Sequence, residues 1–305
     1  MAVFVLKRFG EFLPVLFMII TITFFLVRLA PGGPFDSEKR VSLEAQRSLE
    51  AHYGIDRPLY QQYTEYLTGV IRLDFGPSFR KPSRTVREWI LLRLPVSLEL
   101  GAYGLAFALA VGLCAGILAA LKPNSWLDYS AMTIAMIGIC VPAFVLGPLL
   151  VLIFALWTDW LPVAGWATPM HKILPAVTLG AGYSAYIARM TRGGMLEALS
   201  QDFIRTARAK GLREARVVLR HGLRAGIQPV IAFLGPAAAG LLTGSFVVET
   251  IFQVPGLGRE FVESAFNRDY TMINGAVLVY AVLVMGLNLV SDIMLGWLDP
   301  RIRAR

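Results

Sequence analysis

Six apolar runs, each near the length a helix needs to cross a bilayer, constrain this chain more than any other feature. The hydrocarbon layer is about 30 Å thick and a helix rises about 1.5 Å per residue, so a span takes roughly 20 apolar residues. That ruler places spans at about 9–30, 95–121, 129–157, 173–190, 227–248 and 274–297. The fourth is short and rich in glycine and other small residues. With 56% hydrophobic residues, 16% charged residues and a mean hydropathy of +0.59, the chain lies outside the balance of a soluble domain. The fold expected is an all-α membrane protein.

Lys7 and Arg8 precede the first run and Ala30 follows it, as in a cleaved secretory signal. The stretch from Phe12 to Val27 exceeds a usual signal core, however, and the exit reads Arg28-Leu29-Ala30-Pro31, so the run is read as a retained signal anchor. Orientation follows from where short loops carry Lys and Arg, because positive flanks resist translocation. Lys7 and Arg8 mark a cytoplasmic N-terminus, and with six spans the basic stretch 191–226 and the tail Arg301, Arg303 and Arg305 fall on the same side. The resulting organisation is an N-terminal span (1–30), an external subdomain (31–94), a five-span core (95–297) and a cytoplasmic tail (298–305). Within 31–94, Gln46 to Tyr53 and Leu59 to Ile71 have helical spacing, while Gly76-Pro77-Ser78 and Lys81-Pro82-Ser83 punctuate the way into the second span.

Several chemistries are excluded or disfavoured. The phosphate-cradling pattern GxxxxGK[ST] is absent from the sequence, so this chain does not hydrolyse ATP by itself. A serine hydrolase needs a base beside its nucleophile, and His52, His171 and His221 all lie outside the spans. Cys114 and Cys140 lie inside spans without metal-ligand or disulfide spacing and are read as packing residues. The net charge of +8 follows from basic loops without the aromatic interleaving of a nucleic-acid platform. Glu99 and Asp292 place ionisable groups inside the runs, both near an end, where water or a neighbouring span can satisfy them. An ion-coupled carrier needs more such groups near mid-membrane, so the energy for any transport comes from elsewhere.

The basic stretch is itself patterned. Leu199, Phe203, Ile204 and Ala207 recur near every fourth residue and form one helical stripe, with Arg205 and Arg208 on the other side. Gly211 then ends or bends the helix, because glycine adopts left-handed angles cheaply, and a second amphipathic run follows with Val217, Val218 and His221. Helix, turn and helix is the expected outcome. The same pattern also suits a basic loop resting on anionic lipid.

The run Asp202-Phe203-Ile204-Arg205-Thr206-Ala207-Arg208-Ala209-Lys210-Gly211, followed by Arg220-His221-Gly222-Leu223-Arg224, closely resembles the cytoplasmic loop of permeases in peptide-type ABC importers. Asp74-Phe75-Gly76-Pro77-Ser78, Glu249-Thr250-Ile251-Phe252, Pro255-Gly256-Leu257-Gly258 and Asn267-Arg268-Asp269-Tyr270 extend the likeness over essentially the whole chain. The resemblance implies a six-helix type I importer permease (MetI-like) fold, N-in and C-in, in a bacterial inner membrane. It implies a second homologous permease, two cytoplasmic ABC ATPase subunits that bind the ATP and Mg, and an extracytoplasmic solute-binding protein. No cofactor is implied in this chain.

In such permeases the loop is the "EAA" element that docks into an ATPase cleft, which assigns ATPase coupling to Phe203, Ile204, Arg205, Thr206, Ala207, Arg208, Lys210, Gly211 and His221. Arg205 stands where the general pattern has Glu, so a Glu-mediated contact does not carry over. On the outside, Arg259 and Arg268 are candidate docking residues for the binding protein. A translocation path between the third and fifth spans and their counterparts in the second permease is expected, with no residue assignable to it. Self-sufficient carriers or channels, and import of nickel or glutathione, are the competing readings.

Overall fold

The computed structural model describes residues 2–35 and 43–298. The tail arginines and the side chains of Lys7 and Arg8, on which part of the expected orientation rests, lie outside what is described. Thirteen α-helices are described: α1 (Ala2–Leu29), α2 (Leu43–His52), α3 (Leu59–Arg72), α4 (Val86–Leu121), α5 (Trp126–Cys140), α6 (Ala143–Val151), α7 (Pro169–Leu199), α8 (Asp202–Ala209), α9 (Glu214–Arg216), α10 (Leu223–Gly226), α11 (Gln228–Ile251), α12 (Leu257–Phe266) and α13 (Tyr270–Leu298). Short π-helical stretches extend α6 (Leu152–Trp157) and join α9 to α10 (Val217–Gly222).

Four helices, α1, α4, α11 and α13, are long and apolar enough to cross a membrane, and a bent pair makes a fifth candidate. That pair replaces the straight third span expected at 129–157: α5 and the α6 segment meet at 107° across Val141 and Pro142. Proline lacks an N–H and disfavours a helical residue before it, which places the break there. The fourth expected span lies in α7, whose 31 residues cover about 46 Å but fall short in apolarity. The reason is position. Thr178, Gly180, Ser184 and Thr191 on α7 are buried against other helices rather than lipid.

The α4–α7 seam shows why small residues are needed. On α4, Gly101, Gly104, Ala108, Gly112 and Gly116 form one buried stripe. A Cβ on Gly112 would lie 2.6 Å from the Ser184 carbonyl oxygen, and one on Gly116 would lie 2.6 Å from that of Ala188. Backbone meets backbone along this line, the close approach by which membrane helices associate without a hydrophobic driving force between them. Helix α4 also starts at Val86, ahead of the expected 95, with a capping box between Thr85 and Glu88. Its 36 residues, about 54 Å, therefore project beyond a bilayer core at the end opposite α8.

The segment after the first span forms the two expected helices, α2 and α3, but it is not a free-standing unit. Phe24 of α1 packs against Tyr63 and Tyr66 of α3, and Phe35, Tyr53, Phe79 and Tyr270 form one aromatic cluster with α13. Asp269, nearly fully buried, accepts from the Ser78 hydroxyl, from the Phe79 N–H at 3.3 Å and from the Met272 N–H at 3.2 Å. One carboxylate thus caps α13 and holds the 78–80 loop on it. Cys114 and Cys140 are exposed, so the packing role expected for them does not hold within this chain.

Candidate functional site: the basic elbow and the opposite lid

Helix α8 is short and strongly two-faced. Ile204 is fully buried and Ala207 nearly so, packed with Val217 and against Leu199 and Leu212. The helix ends in a Schellman turn: the Gly211 N–H donates to the Arg208 carbonyl at 2.9 Å and the Leu212 N–H to that of Ala207 at 3.4 Å. Gly211 sits at φ +72°, where only glycine is free of the Cβ penalty, and space around it is open. The turn expected at Gly211 is therefore present, with its cause in the backbone rather than in packing.

The stripe is corrected in one member. Phe203 is 45% exposed and points away from the buried face formed by Leu199, Ile204 and Ala207. Ile204 and Ala207 fill the elbow's own core and shape it. Phe203 remains as an exposed aromatic group beside Arg205, whose side chain is 79% exposed and 3.5 Å from the still more exposed Asp202. Such an exposed pair contributes little. Thr206 turns its hydroxyl back onto the Asp202 carbonyl at 3.1 Å, Lys210 is exposed, and His221 is half-buried in the π-helical stretch.

Arg208 spans the turn instead of reaching outward. Its Nε and Nη2 donate to the two Glu214 oxygens at 3.1 and 2.6 Å. The Arg208 guanidinium holds the Glu214 carboxyl below its ordinary value, and the carboxylate raises Arg208 in return. A carboxyl whose folded pKa is depressed stabilises above its ordinary value and stops doing so as pH falls through the lowered one. Amide exchange of the 202–216 segment, corrected for intrinsic rates, is therefore expected to stay constant from neutral pH into the ordinary glutamate range and to rise below it. Glu214→Gln should abolish that pH dependence.

The elbow is bolted to the bundle. A Cβ on Gly194 of α7 would lie 2.2 Å from the Gly226 carbonyl oxygen, and Met195 packs with Ala120 and Val218. Two residues before Gly194 on α7, Arg192 donates from Nε and Nη2 to the two oxygens of Asp128 on α5, each at 2.6 Å.

At the other end, α12 lies over the bundle as a lid. Glu249, at the end of α11 and fully buried, accepts from the Ser97 hydroxyl at 2.7 Å and from the Arg259 N–H at 2.8 Å. Ser97 in turn accepts the Leu257 N–H at 2.8 Å. The first N–H groups of α12 are thus satisfied from α4 and α11. Lys81 and Arg93 bracket the buried Glu260 of α12. Glu99 pairs with Lys172 and takes the Trp166 indole N–H at 3.1 Å, so a neighbouring segment satisfies it.

Arg259 and Arg268 sit in this lid region, half-buried and engaged. Arg259 Nε donates to Glu263 at 2.9 Å, and Arg268 donates to the Gly33 carbonyl at 3.3 Å from a residue at φ +56°. Reading the sequence missed Asp128 and Glu249 because each falls one position outside an expected apolar run. Buried acids at run edges, with Arg192 or Ser97 elsewhere in the chain, were the available signal.

Long helices joined along small-residue seams, with a basic elbow at one end and a polar-latched lid at the other, define an all-α bundle of membrane-spanning length. The fold resembles that of an inward-facing MetNI methionine ABC transporter, with a TM-score of 0.59 over 69% of this chain and 96% of that one, at 18% identity. The chain belongs to the binding-protein-dependent transport system inner membrane components: residues 112–304 match that family, and residues 1–101 match its N-terminal module. Over 302 residues it is 46% identical to the oligopeptide transport system permease protein OppB of Haemophilus influenzae, covering 98% of this chain and 99% of that protein. It is 44% identical to the dipeptide transport system permease protein DppB of Bacillus subtilis, covering 99% and 98%.

Proposed function

We propose that this chain forms half of the translocation path of an ATP-driven importer of oligopeptides or dipeptides, and that the elbow is where the motor acts on it. In this reading the α8 end faces the cytoplasm and meets one of two ATPase subunits, which supply ATP and Mg binding. A second homologous permease completes the path, and an external solute-binding protein delivers cargo at the lid end. The observation that carries the reading is the elbow itself: Phe203, Arg205 and Lys210 are exposed on and just after a helix whose other face is packed on Val217, Leu199 and Leu212. Relatives named as oligopeptide and dipeptide permeases support the peptide class.

Gly211→Val tests it. A left-handed backbone costs a β-branched residue about 1–2 kcal/mol, so the competent turn is depopulated about tenfold. The expected result in proteoliposomes with ATPases and binding protein is uptake reduced by that order while ATP hydrolysis continues. Normal uptake removes the elbow from the coupling path. Substrate flux through the wild-type chain alone would favour a self-sufficient carrier, and uptake of nickel or glutathione in place of peptides would reassign the cargo.

A further inference from the structure

We propose that Asp128 and Arg192 are positioning residues that make α5 move with the elbow; the proposal rests on the coupling role given above to α8. Arg192 lies on α7 shortly before that helix delivers the chain to α8, so a force on the elbow reaches Arg192 through continuous helix. The bond to Asp128 is bidentate, with both distances at 2.6 Å, and it fixes direction as well as separation. Asp128 is 2% exposed and belongs to the first turn of α5. Its second oxygen also accepts the Asn124 N–H at 2.9 Å, with Asn124 in the left-handed region at φ +59°.

One carboxylate therefore holds the turn out of α4, the start of α5 and the late part of α7. Further along, Gly138 of α5 lies against the Ala181 carbonyl, where an added Cβ would come within 2.8 Å. That seam keeps the helices close but presents a smooth surface along which α5 can slide. The ion pair stops the sliding. Beyond Gly138, α5 ends at the Val141–Pro142 break, where the chain turns by 107° into α6. Displacement of the elbow is thus delivered, through α7, Arg192, Asp128 and α5, to the one bent span among the described residues.

The test uses the complete importer in proteoliposomes with its binding protein. Uptake, ATP hydrolysis and subunit retention are measured for Asp128→Asn, Arg192→Gln and the double variant. Asp128→Asn keeps the side chain's size and its acceptor for the Asn124 N–H while removing the charge. Each single variant is expected to retain its ATPases and to hydrolyse ATP, but to transport about tenfold less substrate per ATP. The double variant is expected to be no worse than either single one, because the two residues act as a unit. An unchanged ratio of transport to hydrolysis, or uptake and hydrolysis falling in proportion, overturns the proposal, the latter outcome marking the pair as fold support. Wild-type uptake without ATPases overturns the coupling reading and this proposal with it.

Discussion

Glu249→Ala is expected to unseat the lid. The substitution leaves the Ser97 hydroxyl and the Arg259 N–H without their acceptor in a fully buried setting and opens a void under Gly256 and Gly258. Leaving a buried donor without its acceptor costs about 1–3 kcal/mol, so two orphaned donors give a destabilisation of about 2–6 kcal/mol. Thermal unfolding of the purified protein should shift accordingly, with hydrogen exchange in 256–266 rising more than in α7. Glu249→Gln, which preserves volume and one acceptor, should recover part of the loss. An Arg205→Ala control, on an exposed side chain with a solvated partner, should leave unfolding unchanged. If Glu249→Ala and Arg205→Ala unfold alike, the latch does not hold the lid.

The second large effect separates two adjacent glycines. Gly193 has nothing within 4 Å of a built Cβ, whereas a Cβ on Gly194 would lie 2.2 Å from the Gly226 carbonyl and 3.1 Å from its carbonyl carbon. Gly193→Ala is expected to stabilise α7 slightly, by about 0.5–1 kcal/mol, because alanine loses less backbone entropy in a helix. Gly194→Ala must push α10 off α7, and overpacking of this kind costs about 1–3 kcal/mol. Because α10 carries the elbow's return to the bundle, transport per ATP should fall as well. Unfolding temperatures and uptake for the two variants decide the matter, and equal behaviour would show that α10 is not seated on α7 in the membrane.

Much of the candidate site was legible in the sequence because its causes are local. The basic run, the helical spacing of Leu199, Ile204 and Ala207, and the glycine at 211 depend on side-chain period and on one residue's backbone freedom. Phe203 was misplaced on the stripe because a two-turn helix leaves the edge of its buried face to whatever packs there, here Val217 and Leu212. Arg208 was expected to face a partner, and its nearer acid, Glu214, becomes a neighbour only after Gly211 reverses the chain.

By itself the sequence determined where apolar length suffices for a span, where positive charge gathers, and where a left-handed turn must fall. These follow from transfer free energy, charge placement and steric limits acting on neighbouring residues. The tertiary structure alone decided that the third run breaks at 107°, that α7 is long but sheltered, and that Asp128 finds Arg192 and Glu249 finds Ser97. Those outcomes join residues tens to more than a hundred positions apart. A buried charge or a backbone-to-backbone seam acquires its partner only when the helices are laid side by side.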